Sequence, residues 1–143
     1  MSQENIELVS AICTPWERGD FTEVGWADPE IELVFADGPT PGTSIGVAAM
    51  RATWREALSA FDRLDVEIER YVPLEGGRVL VLMHNRGTGK TSGFDLGDLQ
   101  TRGANVFHVR DGKVTKLVLY WDRARAFDDL GLPADSMNAN GLR

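Results

Sequence analysis

From Leu64 onward the periodicity of the chain switches to two, around the apolar, strand-like run RVLVLM at Arg78–Met83 and with interruptions at glycines and an Asp-Gly pair. That period puts successive side chains on opposite faces of a strand, so so long a stretch must fold back on itself as a sheet. Strands are predicted at about 65–74, 78–90, 98–111 and 113–122. The last two join through Arg110-Asp111-Gly112-Lys113, and Asp-Gly suits a tight hairpin turn. Gly87, Gly89 and Gly103 inside these strands predict strong curvature or bulges.

Before Leu64 the period is mostly helical. Ile6, Val9, Ile12, Cys13 and Trp16 recur at helical spacing and predict a helix over about 3–18, with Pro15 loosening its last turn. Asp20 followed by Glu23 has the spacing of a capping box for a short second helix, about 21–27, which must stop before Pro29. Glu30–Asp37 alternates as a strand, with Ile31, Leu33, Phe35 and Asp37 on one face. Gly38–Ser44 is loop by composition. Ser44 is placed to cap a third helix, about 45–61, with an apolar stripe of Val47, Met50, Trp54, Leu58 and Phe61. A last short helix, about 123–130, starts from Asp122 and ends at Gly131. The expectation is an α+β fold: a strongly curved, mostly antiparallel sheet packed by three N-terminal helices around a conical pocket, with a short C-terminal helix. Residues 1–132 form one domain in this reading, and 133–143 are expected to be a mobile tail.

With 143 residues the chain is long enough for one real core. It contains no apolar run of membrane-spanning length, and its first residues lack the layout of a signal peptide, so a cytoplasmic location is expected. A net charge of -7 argues against nucleic-acid phosphates as partner. Cys13 is the sole cysteine, which leaves no disulfide and no cysteine cluster for zinc. His84 and His108 stand on different strands with no carboxylate at ligand spacing, so no metal is expected.

One motif invites a phosphate-binding reading. His84–Gly93 runs HNRGTGKTSG behind a strand-like segment. A phosphate-cradling loop needs glycine five positions before the Gly-Lys pair, and that position is His84. The loop must also lead into a helix, whereas the residues that follow are broken by Gly93, Gly97 and Gly103. A hairpin connection fits better.

Taken together, the Gly-Asp-Phe turn after the first helix, WADPEIELVFADGP, GRVLVLMHNRGTGKTSG and NVFHVRDGKVTKLVLYWDRARAFDDLGL resemble the SnoaL-like branch of the nuclear-transport-factor-2-like superfamily. The resemblance covers about residues 3–132. It implies a cofactor-independent acid/base enzyme of the isomerase, cyclase, dehydratase or hydrolase type. Its substrate would be a small hydrophobic, polyketide- or terpenoid-like molecule. The alternatives are a non-catalytic binder of such molecules and a homodimeric interaction domain, since fold does not fix function.

Ketosteroid-isomerase-like members carry a carboxylate base at the end of the first strand, and aligning on FADGP puts Asp37 there. Alternation agrees independently, because Asp37 shares a face with Leu33 and Phe35. Aligning on DGKV puts Asn105 at the donor position of the next-to-last strand, where an amide could hold a carbonyl or developing oxyanion. Where steroid-isomerizing members carry a tyrosine on the first helix, this chain has Ile12, which argues against that reaction. Arg102 has Gln100 and Ala104 two residues away, so the Asp-Arg-Asp set of epoxide-hydrolase-like members is incomplete. Leu33, Phe35, Trp54, Phe107, Leu117, Leu119 and Trp121 are the candidate pocket walls. Alternation turns Tyr120, Asp122 and His108 away from them and leaves the facing of His84 and Arg86 open.

Overall fold

A computed structural model describes residues 2–37, 41–59, 61–89 and 98–132. Its elements are α1 (Ser2–Glu17), β1 (Ala27–Phe35), β2 (Gly42–Ile45), α2 (Val47–Leu58), β3 (Phe61–Leu74), β4 (Arg78–Gly89), β5 (Asp98–Arg110), β6 (Lys113–Tyr120) and α3 (Arg123–Leu130). The six strands make one sheet in the order β2-β1-β6-β5-β4-β3. Among the described residues only β1 and β6 run parallel; the other pairs are antiparallel. The fold is therefore the α+β arrangement that the alternation predicts. Register shifts between Ile68 and Arg70, and between His108 and Val109, bend the long strands as extra residues do.

Both faces of the sheet are covered. On one, Val9, Ile12, Cys13 and Trp16 of α1 and Met50 of α2 pack against Leu33, Val81, Phe107 and Leu117. On the other, Ala126 and Phe127 of α3 pack against Leu80, Leu82, Val106 and Val118. The strict two-residue period is what sorts these side chains between the two layers.

Three local expectations need correction. The predicted helix at 21–27 does not form: the Asp20 carboxylate accepts hydrogen bonds from the Thr22 N–H (3.1 Å) and hydroxyl (2.7 Å). Such a short-range side-chain bond offers the backbone an alternative to a helix, and β1 starts already at Ala27. Two N-terminal helices, rather than three, cover the sheet. The second correction concerns Gly38–Ser44, whose latter part is not loop. Gly42–Ile45 forms β2, pairing with β1 from Phe35↔Gly42 to Glu32↔Ile45. Lastly, Ser44 stands in that strand opposite Leu33, so α2 is shorter than predicted and is preceded by Gly46, with no side-chain cap.

Elsewhere local chemistry and structure agree. Asp111 and Gly112 both have positive φ, 52° and 75°, as a two-residue turn matched to strand twist requires. The Asp122 carboxylate accepts the Ala124 N–H at 3.0 Å, and Gly131 closes α3 at φ 69°. Among the described residues no helix is long and apolar enough to cross a membrane. The β4–β5 connection with Lys90, and the expected tail 133–143, lie outside the described residues.

Candidate functional site

Two adjoining cavities lie between α1, α2 and the inner face of the sheet, and Trp16, Phe21, Trp54 and Leu58 line both. The larger, about 280 Å³, sits between the end of α1, the segment around Phe21–Trp26 and α2. The smaller, about 120 Å³, reaches down to the sheet. Their common wall is an aromatic cluster. The Trp16 ring centre lies 5.1 Å from Trp54 and 6.0 Å from both Phe21 and Phe107. Tilted contacts at such distances hold the rings in fixed orientations.

The smaller cavity is apolar apart from a few groups on its floor. Asn105 pairs with Val81 on β4 and Leu119 on β6, so strand alternation aims its side chain inward beside Phe107. It is only 5% exposed, and among the described residues nothing hydrogen-bonds its side chain. Its polar atoms are not among the sealed, unsatisfied ones of the described residues, so they open onto the cavity. The amide is an open donor and acceptor for anything that enters.

Asn85 lies on the same floor. Its inward facing could have been read from alternation with Val81 and Met83, but the sequence reading passed over it. Gly103 explains how it fits: a Cβ there would stand 3.1 Å from the Asn85 amide nitrogen and 2.8 Å from the Tyr120 carbonyl oxygen. Only a bare backbone lets these groups approach.

The residues expected to line a pocket divide into two sets. Phe35, Trp54, Leu119 and Trp121 line the smaller cavity. Leu33, Phe107 and Leu117 are fully buried in the core beneath and are not among the lining residues of these two cavities.

Asp37 is half-buried at the end of β1 and is likewise not a lining residue of either cavity. Its carboxylate accepts the backbone N–H of Trp121 at 2.6 Å and that of Asp122 at 3.3 Å. It thus ties the end of the first strand to the β6–α3 junction, and holds Trp121 where that residue forms cavity wall.

Several other groups fall outside the cavities. His84 and Arg86 share the outer face with Leu80 and Leu82, which decides their orientation. Arg102, opposite His84, is on that face too and pairs with Glu69 at 3.3 Å. Glu69 also takes the buried Arg123 guanidinium at 2.6 Å, and Arg123 donates to the Met83 carbonyl at 2.9 Å. Half-buried His108 is held below its ordinary value by burial and by Lys116 and Arg78. The Tyr120 hydroxyl points away and bonds Asp129 at 2.8 Å. Ile12 is core, and the Cys13 thiol is pushed far up by its burial and by Glu17. Among the described residues no three His, Cys, Asp or Glu side chains come together as a metal-binding group.

Trp16, Phe21, Trp26, Arg51 and Arg55 also line the larger cavity, and the sequence reading gave none of them that role. A signal existed for the two arginines. Arg51, Trp54, Arg55 and Leu58 recur at i, i+3, i+4 and i+7, which is one helical face.

A family model described as a SnoaL-like domain matches residues 9–117. Among solved structures, TerC co-crystallised with polyporic acid is similar at 20% identity and a TM-score of 0.67, over 89% of this chain and 97% of that one. A nuclear-transport-factor-2-like protein of unknown function from Burkholderia pseudomallei K96243 is similar at 17% identity and 0.69, over 87% and 95%. A protein from Jannaschia sp. CCS1 with a name in the SnoaL-like polyketide cyclases is similar at 20% identity and 0.64, over 92% and 94%. At such identities the likeness is one of fold. A search of curated proteins finds no match.

Proposed function

The chain belongs to the SnoaL-like domain family, whose model spans residues 9–117, and on that premise we propose that it is a cofactor-independent acid/base enzyme. Its substrate is a small, flat, hydrophobic carbonyl compound of polyketide- or terpenoid-like character. The observation that carries this reading is the Asn105 amide, buried and unpartnered among the described residues, on the floor of an aromatic-walled cavity. Rings of Trp16, Trp54 and Trp121 suit a flat apolar body, and the amide N–H suits the one carbonyl such a body presents. Asn105 donates to that oxygen and stabilises the charge that develops when a proton leaves the neighbouring carbon. Asp37, whose carboxylate holds the backbone N–H of the lining residue Trp121, is the proposed acceptor of that proton. Its oxygens retain lone pairs beyond those engaged by the two backbone N–H groups. Return of the proton to another atom gives isomerisation; attack of the carbanion on a second carbonyl gives ring closure.

One observation favours a second reading, binding without turnover: the Asp37 carboxylate is held by backbone donors rather than turned into a cavity. The variant Asp37→Asn separates the two, since its amide oxygen can still accept one of those N–H groups. With an aromatic β-diketone as substrate, loss of conversion with unchanged affinity supports Asp37 as base. Unchanged conversion removes Asp37 from the mechanism. Saturable quenching of tryptophan fluorescence with no conversion by the native protein establishes the binding reading.

The family reading also carries the proposal of a homodimer across the outer face of the sheet, where Glu32, Lys116, His108 and Arg78 form a cross-strand row. A sedimentation mass of one chain would remove it.

A further inference from the structure

The larger cavity has a charge character that the proposed reaction does not use. Among the described residues that line it, all are aromatic, aliphatic or small except two charged ones, and both are arginines. Arg51 and Arg55 stand four residues apart on α2, which brings them onto one helical face about 6 Å apart along the axis. Neither is ion-paired among the described residues. No carboxylate is among the described residues lining this cavity, in a chain whose net charge is -7. Two cations beside an aromatic slot, in a protein with an excess of carboxylates elsewhere, form a local positive site. Guanidinium groups present paired donors that match a carboxylate.

We propose that Arg51 and Arg55 bind the carboxylate of a flat aromatic acid, so that the ligand of this protein is an anion rather than a neutral hydrocarbon or ketone. This inference rests on the cavity reading above and deepens it. Trp16, Phe21, Trp54 and Leu58 are common to both cavities, so one elongated ligand can place its ring system against them. Its acid end then lies at the arginines on α2, and its carbonyl end at Asn105 on the sheet. The two polar ends fix the direction in which the ligand lies, which apolar walls alone cannot do.

The test uses two probes of equal shape, 2-naphthoate and 2-naphthamide, titrated calorimetrically into the native protein and into the Arg51→Gln/Arg55→Gln variant. Both positions are exposed and glutamine is a good helix former, so the fold is retained. The native protein is expected to bind the acid roughly tenfold or more tightly than the amide, from charge-assisted hydrogen bonds. In the variant that gap is expected to fall below about twofold, with the affinity for the amide unchanged, and added salt should weaken only the acid. Equal binding of acid and amide by the native protein overturns the inference and leaves the cavity reading in place. A gap that survives in the variant does the same. If the variant weakens both probes alike, the arginines only cover the wall with their aliphatic stems, and the inference is again overturned. Binding of neither probe overturns the cavity reading itself and this inference with it.

Discussion

Asn105 illustrates how one residue can lower stability while equipping a site. Its amide sits in the apolar floor of the smaller cavity with no hydrogen-bond partner among the described residues. Leucine has the same branching of heavy atoms, fills more of the cavity, and has no polar atoms to satisfy. Asn105→Leu is therefore expected to raise the free energy of unfolding by about 1 kcal/mol, measured by urea denaturation. The same change should weaken binding of an aromatic ketone about fivefold relative to the matching hydrocarbon. A variant less stable than the native protein would show that the amide already has its partner. Asp37 stands at the other pole, since its carboxylate is satisfied twice by backbone N–H groups and fastens Trp121 in place. One strand parity predicted both residues, yet their surroundings differ because only Asp37 lies within reach of a strand end with unpaired donors.

At the scale of elements, the crossing of β5 with the β6–α3 junction depends on Gly103. An added Cβ would lie 2.8 Å from the Tyr120 carbonyl oxygen, a backbone atom that cannot swing aside as a side chain does. Gly103→Ala is expected to cost about 1–3 kcal/mol through forced separation of the two segments. The same shift should disturb the cavity floor, where the Asn85 amide stands 3.1 Å from the new atom. Urea denaturation gives the first quantity. A stability within error of the native protein would mean that the junction tolerates displacement. The other elements show which local signals prevailed. The alternation of β3–β6 and the caps of α3 carried through to the structure, whereas the capping-box spacing at Asp20 did not. There the first apolar residues beyond it, Phe21, Val24 and Trp26, are drawn towards the aromatic cluster, and Asp20 bonds Thr22 instead.

At the scale of the molecule, the sheet holds a raised tyrosine on each face. Tyr71 packs with the core that includes α1 and Tyr120 with the core that includes α3, and both are pushed up from 10.0 to about 12. Burial is the leading cause for both. Cys13 adds to the shift of Tyr71, and the bond to Asp129 adds to that of Tyr120. Below pH 10 the folded and unfolded chains both hold these protons. Between 10 and 12 the unfolded chain releases them while the folded chain keeps them, so unfolding gains and stability falls as pH rises. The urea midpoint is expected to decline through that window on both faces together, and Tyr120→Phe should make the decline shallower. A midpoint that stays level to pH 12 would contradict the burial of these hydroxyls.

The sequence alone determined the α+β class, the strands β4, β5 and β6 to within two residues, the Asp111-Gly112 turn and both ends of α3, because each of these rests on neighbours along the chain. It also determined that Asn105 faces inward, since a pleat leaves a side chain only two directions. The short strand β2 came from pairing with the neighbouring β1, the missing helix at 21–27 from the competing Asp20–Thr22 bonds, and the duties of Asp37 from a contact across 84 residues, the bond from Trp121 back to Asp37. Cavity membership was decided the same way. Leu33, Phe107 and Leu117 point inward as alternation requires, yet α1 and α2 settle on top of them and leave the open space one step away, at Asn85, Asn105, Arg51 and Arg55. Periodicity sets the direction of a side chain; only the packing of helices on the sheet decides whether that direction ends in a core or in a cavity.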